Sequence, residues 1–190
     1  MGRYGAFASG GAAIEASLAG ALGWAEAQRR ASCDVVANYL TDYWVQDALV
    51  AAAHDGVALN VVVNPAAYGA EAASRWLERH GVTVLVAPVR PYLHAKVLVC
   101  AAARGAVAVV GSANFSYDAM HTNHELDAML TGGAAEVVWR WATRVAAEAR
   151  PSSCPTRSRG GSRPRSPAAR TRRCASSATR ASWRSTTSAW

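Results

Sequence analysis

Apolar residues recur along the first 150 positions in two alternating rhythms. From Ala12 to Arg30, Ile14, Leu18 and Leu22 fall four residues apart in Ala/Leu/Glu-rich text, which predicts a helix. Cys33 to Leu40 is a compact apolar run and predicts a strand. Thr41 or Asp42 can cap a second helix that runs to about His54 and stops before Gly56. Val57 to Val63 predicts a strand that ends at the breaker Asn64-Pro65. Glu71 to His80 predicts a helix with Gly81 in the C′ position. Val82 to Ala87 is a further β-branched run. Tyr92 to Cys100 and Ala106 to Val110 predict two strands joined by an Ala/Arg/Gly turn, and Asn123 to Leu130 predicts one more. Gly133 to Arg150 predicts a helix with Val137, Trp141 and Val145 on one face. Strands alternating with helices imply an α/β sandwich around a largely buried mixed sheet. No internal repeat interrupts the order.

Composition divides the chain near Pro151. All 13 acidic residues lie in 1–150 with 11 of the 20 basic ones, so that part carries a net charge of −2. Residues 151–190 contain nine arginines, no acid, and no Leu, Ile, Val, Met or Phe. Such a segment cannot bury a core and is expected to be disordered by itself, holding anions loosely. Its Arg/Ala/Pro/Ser/Thr text also fits a GC-rich gene read out of frame, which would make it a frameshift product. The organisation expected is therefore an N-terminal helical segment over 1–30, a domain over 31–150 and a tail over 151–190. A sequence pI near 9.7 suggests an anionic partner, but the whole excess comes from the tail.

The cysteines Cys33, Cys100, Cys154 and Cys174 form no C-x-x-C pair. Neither a zinc site nor a disulfide framework is expected, and a reducing cytoplasmic setting is the default. The Ala/Gly-rich stretch from Gly5 to Trp24 is broken by Glu15 and reads as neither a signal peptide nor a membrane span.

Candidate chemistry concentrates in three short pieces: H-A-K at 94–96, G-S-A-N-F-S at 111–116 and N-H-E at 123–125. Lys96 is also the only lysine in the chain. On strands, positions i and i+2 share a face. His94 would then sit beside Lys96, Ser112 beside Asn114, and Asn123 beside Glu125 and Asp127. Gly111 would leave room for a close backbone approach. An imidazole, an ammonium, a hydroxyl, a carboxamide and a carboxylate on one surface suit a phosphodiester. Lys96 and Asn114 can hold phosphate oxygens, and His94 can attack phosphorus through a neutral ring nitrogen. Glu125 can accept from the other ring nitrogen and fix the tautomer. His121 and His124 read as surface residues, Asp118 as a turn residue, and Trp76, Trp139 and Trp141 as packing.

H-x-K, a spacer, G-S-x-N and a downstream N-x-E resemble the HKD signature of the phospholipase D superfamily. The lead-in "DALVAAAHDGVALNVVV", "WLERHGVTVLVAP" and "YLHAKVLV" is similar too, so the resemblance spans about residues 33–148. "YLHAK" and "GSANFSYDAMHTNHEL" look most like bacterial cardiolipin-synthase-like proteins, while small dimeric nucleases of the superfamily share the spacing. The resemblance implies a phospholipase D-like α/β/α sandwich, one half of the usual two-motif assembly. It implies that His94 forms a phosphohistidine or protonates the leaving group. Lys96 and Asn114 would bind phosphate, Ser112 would support the pocket and Glu125 would orient the histidine.

No metal or organic cofactor is implied. A second motif is, from a homodimer partner or from a C-terminal half that this chain lacks. The signature's Asp, five residues after the lysine, is replaced by Ala101, and the strand-to-strand turn here reads as longer than usual. The activity implied is phosphodiester hydrolysis or phosphatidyl transfer on a phospholipid or a nucleic acid. The alternatives are a homodimeric endonuclease and an inactive truncated remnant. The setting expected is the cytoplasm, peripheral to a membrane if the substrate is a lipid.

Overall fold

The computed structural model describes residues 7–152. Residues 151–152 end the described part, so the readings of the tail as disordered, anion-binding or frameshifted lie outside the described residues.

The elements run β1 (Phe7–Ser9), α1 (Gly11–Glu26), β2 (Ser32–Ala37), α2 (Tyr43–His54), β3 (Ala58–Val63), α3 (Ala70–Arg79) and β4 (Thr83–Val86). They continue as β5 (Lys96–Ala102), β6 (Gly105–Gly111), α4 (Tyr117–His121), β7 (Leu126–Thr131), α5 (Gly132–Glu148) and β8 (Arg150–Pro151). Eight strands form one mixed sheet in the order β1-β7-β6-β5-β2-β3-β4-β8. Strands β2, β3 and β4 are parallel neighbours, and every other pairing is antiparallel.

The period-2 alternation of the strands sorts their side chains onto two cores. Val35, Val61, Leu98 and Val109 face the layer made by α1, α2 and α3, where Ile14, Leu18, Leu22, Leu49 and Leu77 meet them. Val36, Val62, Val99 and Ala108 face the other way, against Ala135 and Ala142 of α5, with Val138, Trp139 and Trp141 packed around them. The architecture is thus the expected α/β/α sandwich. Helix α1 is part of this core: Ile14, Leu18, Ala21, Leu22 and Ala25 form its buried stripe. Asp42 is the cap of α2, accepting from Val45 N at 3.1 Å. Gly81 has the positive φ of +84° expected just past α3.

Several expected boundaries move. The first helix ends at Glu26, not Arg30. The strand foreseen from Tyr92 begins at Lys96, and the one foreseen from Asn123 begins at Leu126. Asp118 lies in the short helix α4, which the sequence pattern did not announce. The turn between β5 and β6 is tight: Ala102 pairs with Gly105, leaving two residues between the strands. The extra length went into the strands, where alanines extend the ladder.

One expectation is overturned. Cys33 of β2 and Cys100 of β5 are direct cross-strand partners with Cα atoms 4.0 Å apart, and they form a disulfide. The pairing was hidden because it depends on which strands are neighbours, which spacing alone does not reveal. The premise for a reducing setting goes with it, since disulfides persist in oxidising surroundings. No helix among the described residues is long and apolar enough to cross a membrane.

Asp34 lies mid-strand on the α5 face, accepting from Asn60 Nδ2 at 2.9 Å and from Thr143 Oγ1 at 3.2 Å. Burial pushes its carboxyl above the ordinary 3.8, and the two hydrogen bonds pull part of the way back. A carboxyl with a raised folded pKa favours the fold below its unfolded pKa, and that contribution is lost as pH rises through the folded pKa. Asp34→Asn is therefore expected to remove part of the fall in stability as pH rises above about 4, measured by urea unfolding at a series of pH values. The bridge closes a loop of sequence separation 67. Cys33→Ala/Cys100→Ala is expected to lose about 2–4 kcal/mol of unfolding free energy, with reductant lowering the parent similarly.

Candidate active site

Parallel strands β2 and β3 end at the same edge of the sheet. Antiparallel β5 and β7 start there, and β6 ends there. Open α/β sheets bind ligands beyond the carboxyl ends of their parallel strands. All the candidate residues fall at this edge.

Lys96 is the first residue of β5, paired with Ala37 at the end of β2. It is only 8% exposed. Its ammonium folds back on the preceding residues, 2.9 Å from His94 O, 3.2 Å from Nδ1 and 3.3 Å from Nε2 of the same ring. His94 itself is exposed and precedes the strand. The expected neighbourhood of the two side chains therefore holds, but a lysine hydrogen bond brings it about and not strand alternation.

Ser112 and Asn114 lie past the end of β6, where the chain leaves the ladder. Ser112 Oγ donates to Glu125 Oε2 at 2.5 Å and accepts from Leu126 N at 3.1 Å, so it ties the entry of β7 to the exit of β6. Asn123 Nδ2 donates to Glu125 Oε1 at 3.1 Å. Both carboxylate oxygens of Glu125 are thereby engaged by Ser112 and Asn123, and His94 of the same chain takes its ring contacts from Lys96. The Asn114 Oδ1 atom is buried without a hydrogen-bond partner among the described residues, an unfilled acceptor at the site edge.

Burial lowers the pKa of Lys96 below its ordinary 10.5, and the negative charge of Glu125 opposes the shift. Asp127 is buried behind Ser112 and accepts from Ala113 N at 3.1 Å. Burial pushes its carboxyl up, two backbone hydrogen bonds lower it, and Glu125 raises it again. Gly111 makes this possible. A Cβ there would overlap Asp127 Oδ1 and lie 2.5 Å from Asp127 Cα, which is the close approach expected of that glycine.

Three residues went unmarked in the sequence. Asn38 and Asn64 follow directly after β2 and β3, and Tyr92 leads into His94. Asn64 Nδ2 donates to Asn38 Oδ1 at 2.8 Å and to Leu93 O at 3.1 Å, and Tyr92 OH reaches Asn38 Oδ1 at 3.4 Å. Two asparagines ending adjacent parallel strands were the available signal. His121, read as a surface residue, lies 3.7 Å from the buried Asp42 carboxylate. His124 is exposed.

Exposed large apolar side chains gather at this edge as well. Tyr43, Trp44, Tyr68, Val89, Tyr92, Tyr117 and Leu126 all lie on or beside its loops, and Val137 on α5 is the exception among the described residues. Those loops carry one arginine, Arg90. Among the described residues no group of three or more His, Cys, Asp or Glu could hold a metal ion.

A family model described as "Cardiolipin synthase, PLD-like domain" matches residues 25–145, well over half of the chain. The chain belongs to the phospholipase D-like family. No curated protein matches the sequence. Among solved structures, Nuc from Salmonella typhimurium, a phospholipase D family member, is similar at 21% identity and a TM-score of 0.64. That match covers 77% of this chain and 97% of Nuc. NucT from Helicobacter pylori is similar at 13% identity and a TM-score of 0.62, covering 80% of this chain and 99% of that one. Phosphatidylserine synthase from Haemophilus influenzae matches at 10% identity and a TM-score of 0.52, over 73% of this chain and 37% of its own length. At these identities the likeness is one of fold.

Two measurements check the geometry of this phospholipase D-like site. Gly111→Ala is expected to cost about 1–3 kcal/mol by chemical unfolding, because backbone and carboxylate both obstruct the new methyl. Lys96 can be followed alone among side chains, since reductive methylation with labelled formaldehyde marks only lysine and the N-terminus. Its amine is expected to titrate below 10.5, and lower again in Glu125→Gln, where the opposing negative charge is gone.

Proposed function

We propose that the chain is a phosphodiesterase or phosphatidyltransferase that works through a phosphohistidine on His94. The observation that carries this reading is the clustering of an exposed imidazole with a nearly buried ammonium, at a sheet edge that also presents Ser112, Asn114 and Glu125. A ring nitrogen of His94 attacks phosphorus; the P–N bond forms and the bond to the leaving oxygen breaks. Lys96 and Asn114 hold the non-bridging oxygens as their charge grows. Ser112 keeps Glu125 in place, and Glu125 sets the field felt by Lys96.

A leaving alkoxide needs a proton, and one His94 cannot both attack and donate. A second histidine, from a second copy of this chain paired across a two-fold axis, supplies it. Water or an alcohol then attacks the phosphohistidine, giving its proton to that second histidine as the P–N bond breaks. Water makes the outcome hydrolysis, and an alcohol makes it phosphatidyl transfer.

The edge favours a lipid-like phosphodiester over a nucleic acid. Binding a polyanion draws on many lysines and arginines, whereas residues 1–150 carry a net −2 and this edge presents Arg90 in a loop and Arg150 opposite the end of β4. Tyrosine and tryptophan beside the site suit an amphipathic substrate, with rings in apolar surroundings and polar tips in water.

His94→Asn is expected to lower turnover of bis(p-nitrophenyl) phosphate at least about a thousandfold while leaving the unfolding transition in place. Acid-labile phosphate on His94 should be trapped in parent protein quenched during turnover. Light scattering should give a dimer. Full activity in His94→Asn would dismiss the phosphohistidine, and full activity in a strict monomer would dismiss the shared site.

A further inference from the structure

The histidine at the centre of the site stands on chain that belongs to no strand or helix. After β4 ends at Val86, residues 87–95 cross the edge of the sheet before β5 begins at Lys96. Even so, the three successive carbonyls around His94 are all held. Leu93 O accepts from Asn64 Nδ2 at 3.1 Å, His94 O from Lys96 Nζ at 2.9 Å, and Ala95 O from Asn38 N at 2.9 Å. The first two donors are side chains, and the third carries the β2–β5 pairing one residue beyond Ala37 and Lys96.

Asn64 is the hub of this arrangement. Both hydrogens of its amide are used, one on Asn38 Oδ1 at 2.8 Å and one on Leu93 O. Its own oxygen accepts from Ala66 N at 3.0 Å. The donor requirements of two oxygens fix which way the amide points. Asn64 and Asn38 are 2% and 3% exposed, so water does not substitute for either. Asn38 acts differently: towards the His94 segment it offers its backbone N–H, and its side-chain oxygen serves Asn64 and Tyr92 OH.

We propose that Asn64, braced by Asn38, is a positioning residue that sets where the His94 ring stands at the sheet edge. This rests on the reading of His94 as the nucleophile. Asn64 touches no substrate and acts through the backbone of Leu93. The two asparagines have opposite hydrogen-bonding duties, so the same isosteric change separates them. Asn64→Asp keeps the shape but replaces the one nitrogen and its two hydrogens by a carboxylate oxygen that faces two oxygen acceptors. Asn38→Asp keeps an oxygen where an oxygen is needed.

The test pairs kinetics with a readout that needs no turnover. With bis(p-nitrophenyl) phosphate, Asn64→Asp is expected to lower kcat by about 10–100-fold with KM within about threefold, the pattern of a displaced reacting group. Asn38→Asp should lose at least tenfold less. Relative to parent at each pH, Asn64→Asp should recover on acidification, because a protonated carboxyl returns one donor. In histidine labelled at Cε1, the His94 resonance, assigned by its absence in His94→Asn, should move in Asn64→Asp while the other four histidines stay. If Asn64→Asp is too unstable to purify, Asn64→Ser, with its single hydroxyl donor, is measured the same way.

Equal losses in the two aspartate variants, or an unmoved His94 resonance in the Asn64 variant, overturn the proposal. A moved resonance in a protein whose parent has no turnover leaves the positioning role standing and removes the phosphodiesterase reading instead.

Discussion

A charged ammonium taken almost entirely out of water must be compensated, and at Lys96 that requirement organises the whole edge of the sheet. Its ammonium donates to His94 O and lies within 3.3 Å of both imidazole nitrogens. Its charge is answered by Glu125, which precedes β7 on the far side of β6. Glu125 is kept there by Ser112 and Asn123, and Ser112 in turn fixes the first residue of β7. The polar groups are thus links in one chain of mutual satisfaction. The low dielectric that makes an unpaired lysine expensive also strengthens the contacts that the lysine itself makes.

The apolar scaffold was legible because its signal is local. Ile14, Leu18 and Leu22 mark a helix face whatever they pack against, and the runs at 33–40 and 57–63 are strands in any α/β arrangement. The candidate site stood out for a different reason: H-A-K, G-S-A-N and N-H-E hold residue types that few structural roles require together. The illegible features all depend on pairing between distant segments. Cys33 meets Cys100 only because β2 and β5 are neighbours, and Asn64 meets Leu93 only because a crossing loop passes over the end of β3.

His94 and Lys96 are neighbours, but not through strand alternation. Alternation would require the ladder to continue through His94. The ladder stops at Lys96, and the lysine side chain curls back to close the distance. Ser112 and Asn114 have likewise left β6. Functional side chains sit where regular structure ends, because inside a ladder the backbone is already committed and the side chains are walled in by neighbours. Ala101, standing where the signature has Asp, is the counter-case. It lies within β5 opposite Ser32 and Ala106, where the ladder and packing hold the backbone without a carboxylate.

The bridge between Cys33 and Cys100 encloses β2 through the start of β5 in a covalent ring. Asn38, Asn64, His94 and Lys96 lie inside that ring, and Ser112, Asn114 and Glu125 lie outside it. The most exposed stretch near the histidine, Val89 to Tyr92 with Arg90 at its centre, is also inside. A protease that cuts after the exposed Tyr92 would open the loop without releasing a fragment. The piece bearing the histidine and the piece bearing the asparagines would stay joined through sulfur and through the β2–β5 ladder. Loss of covalent continuity and loss of the site are therefore separate events in this molecule, and only a reductant makes them one.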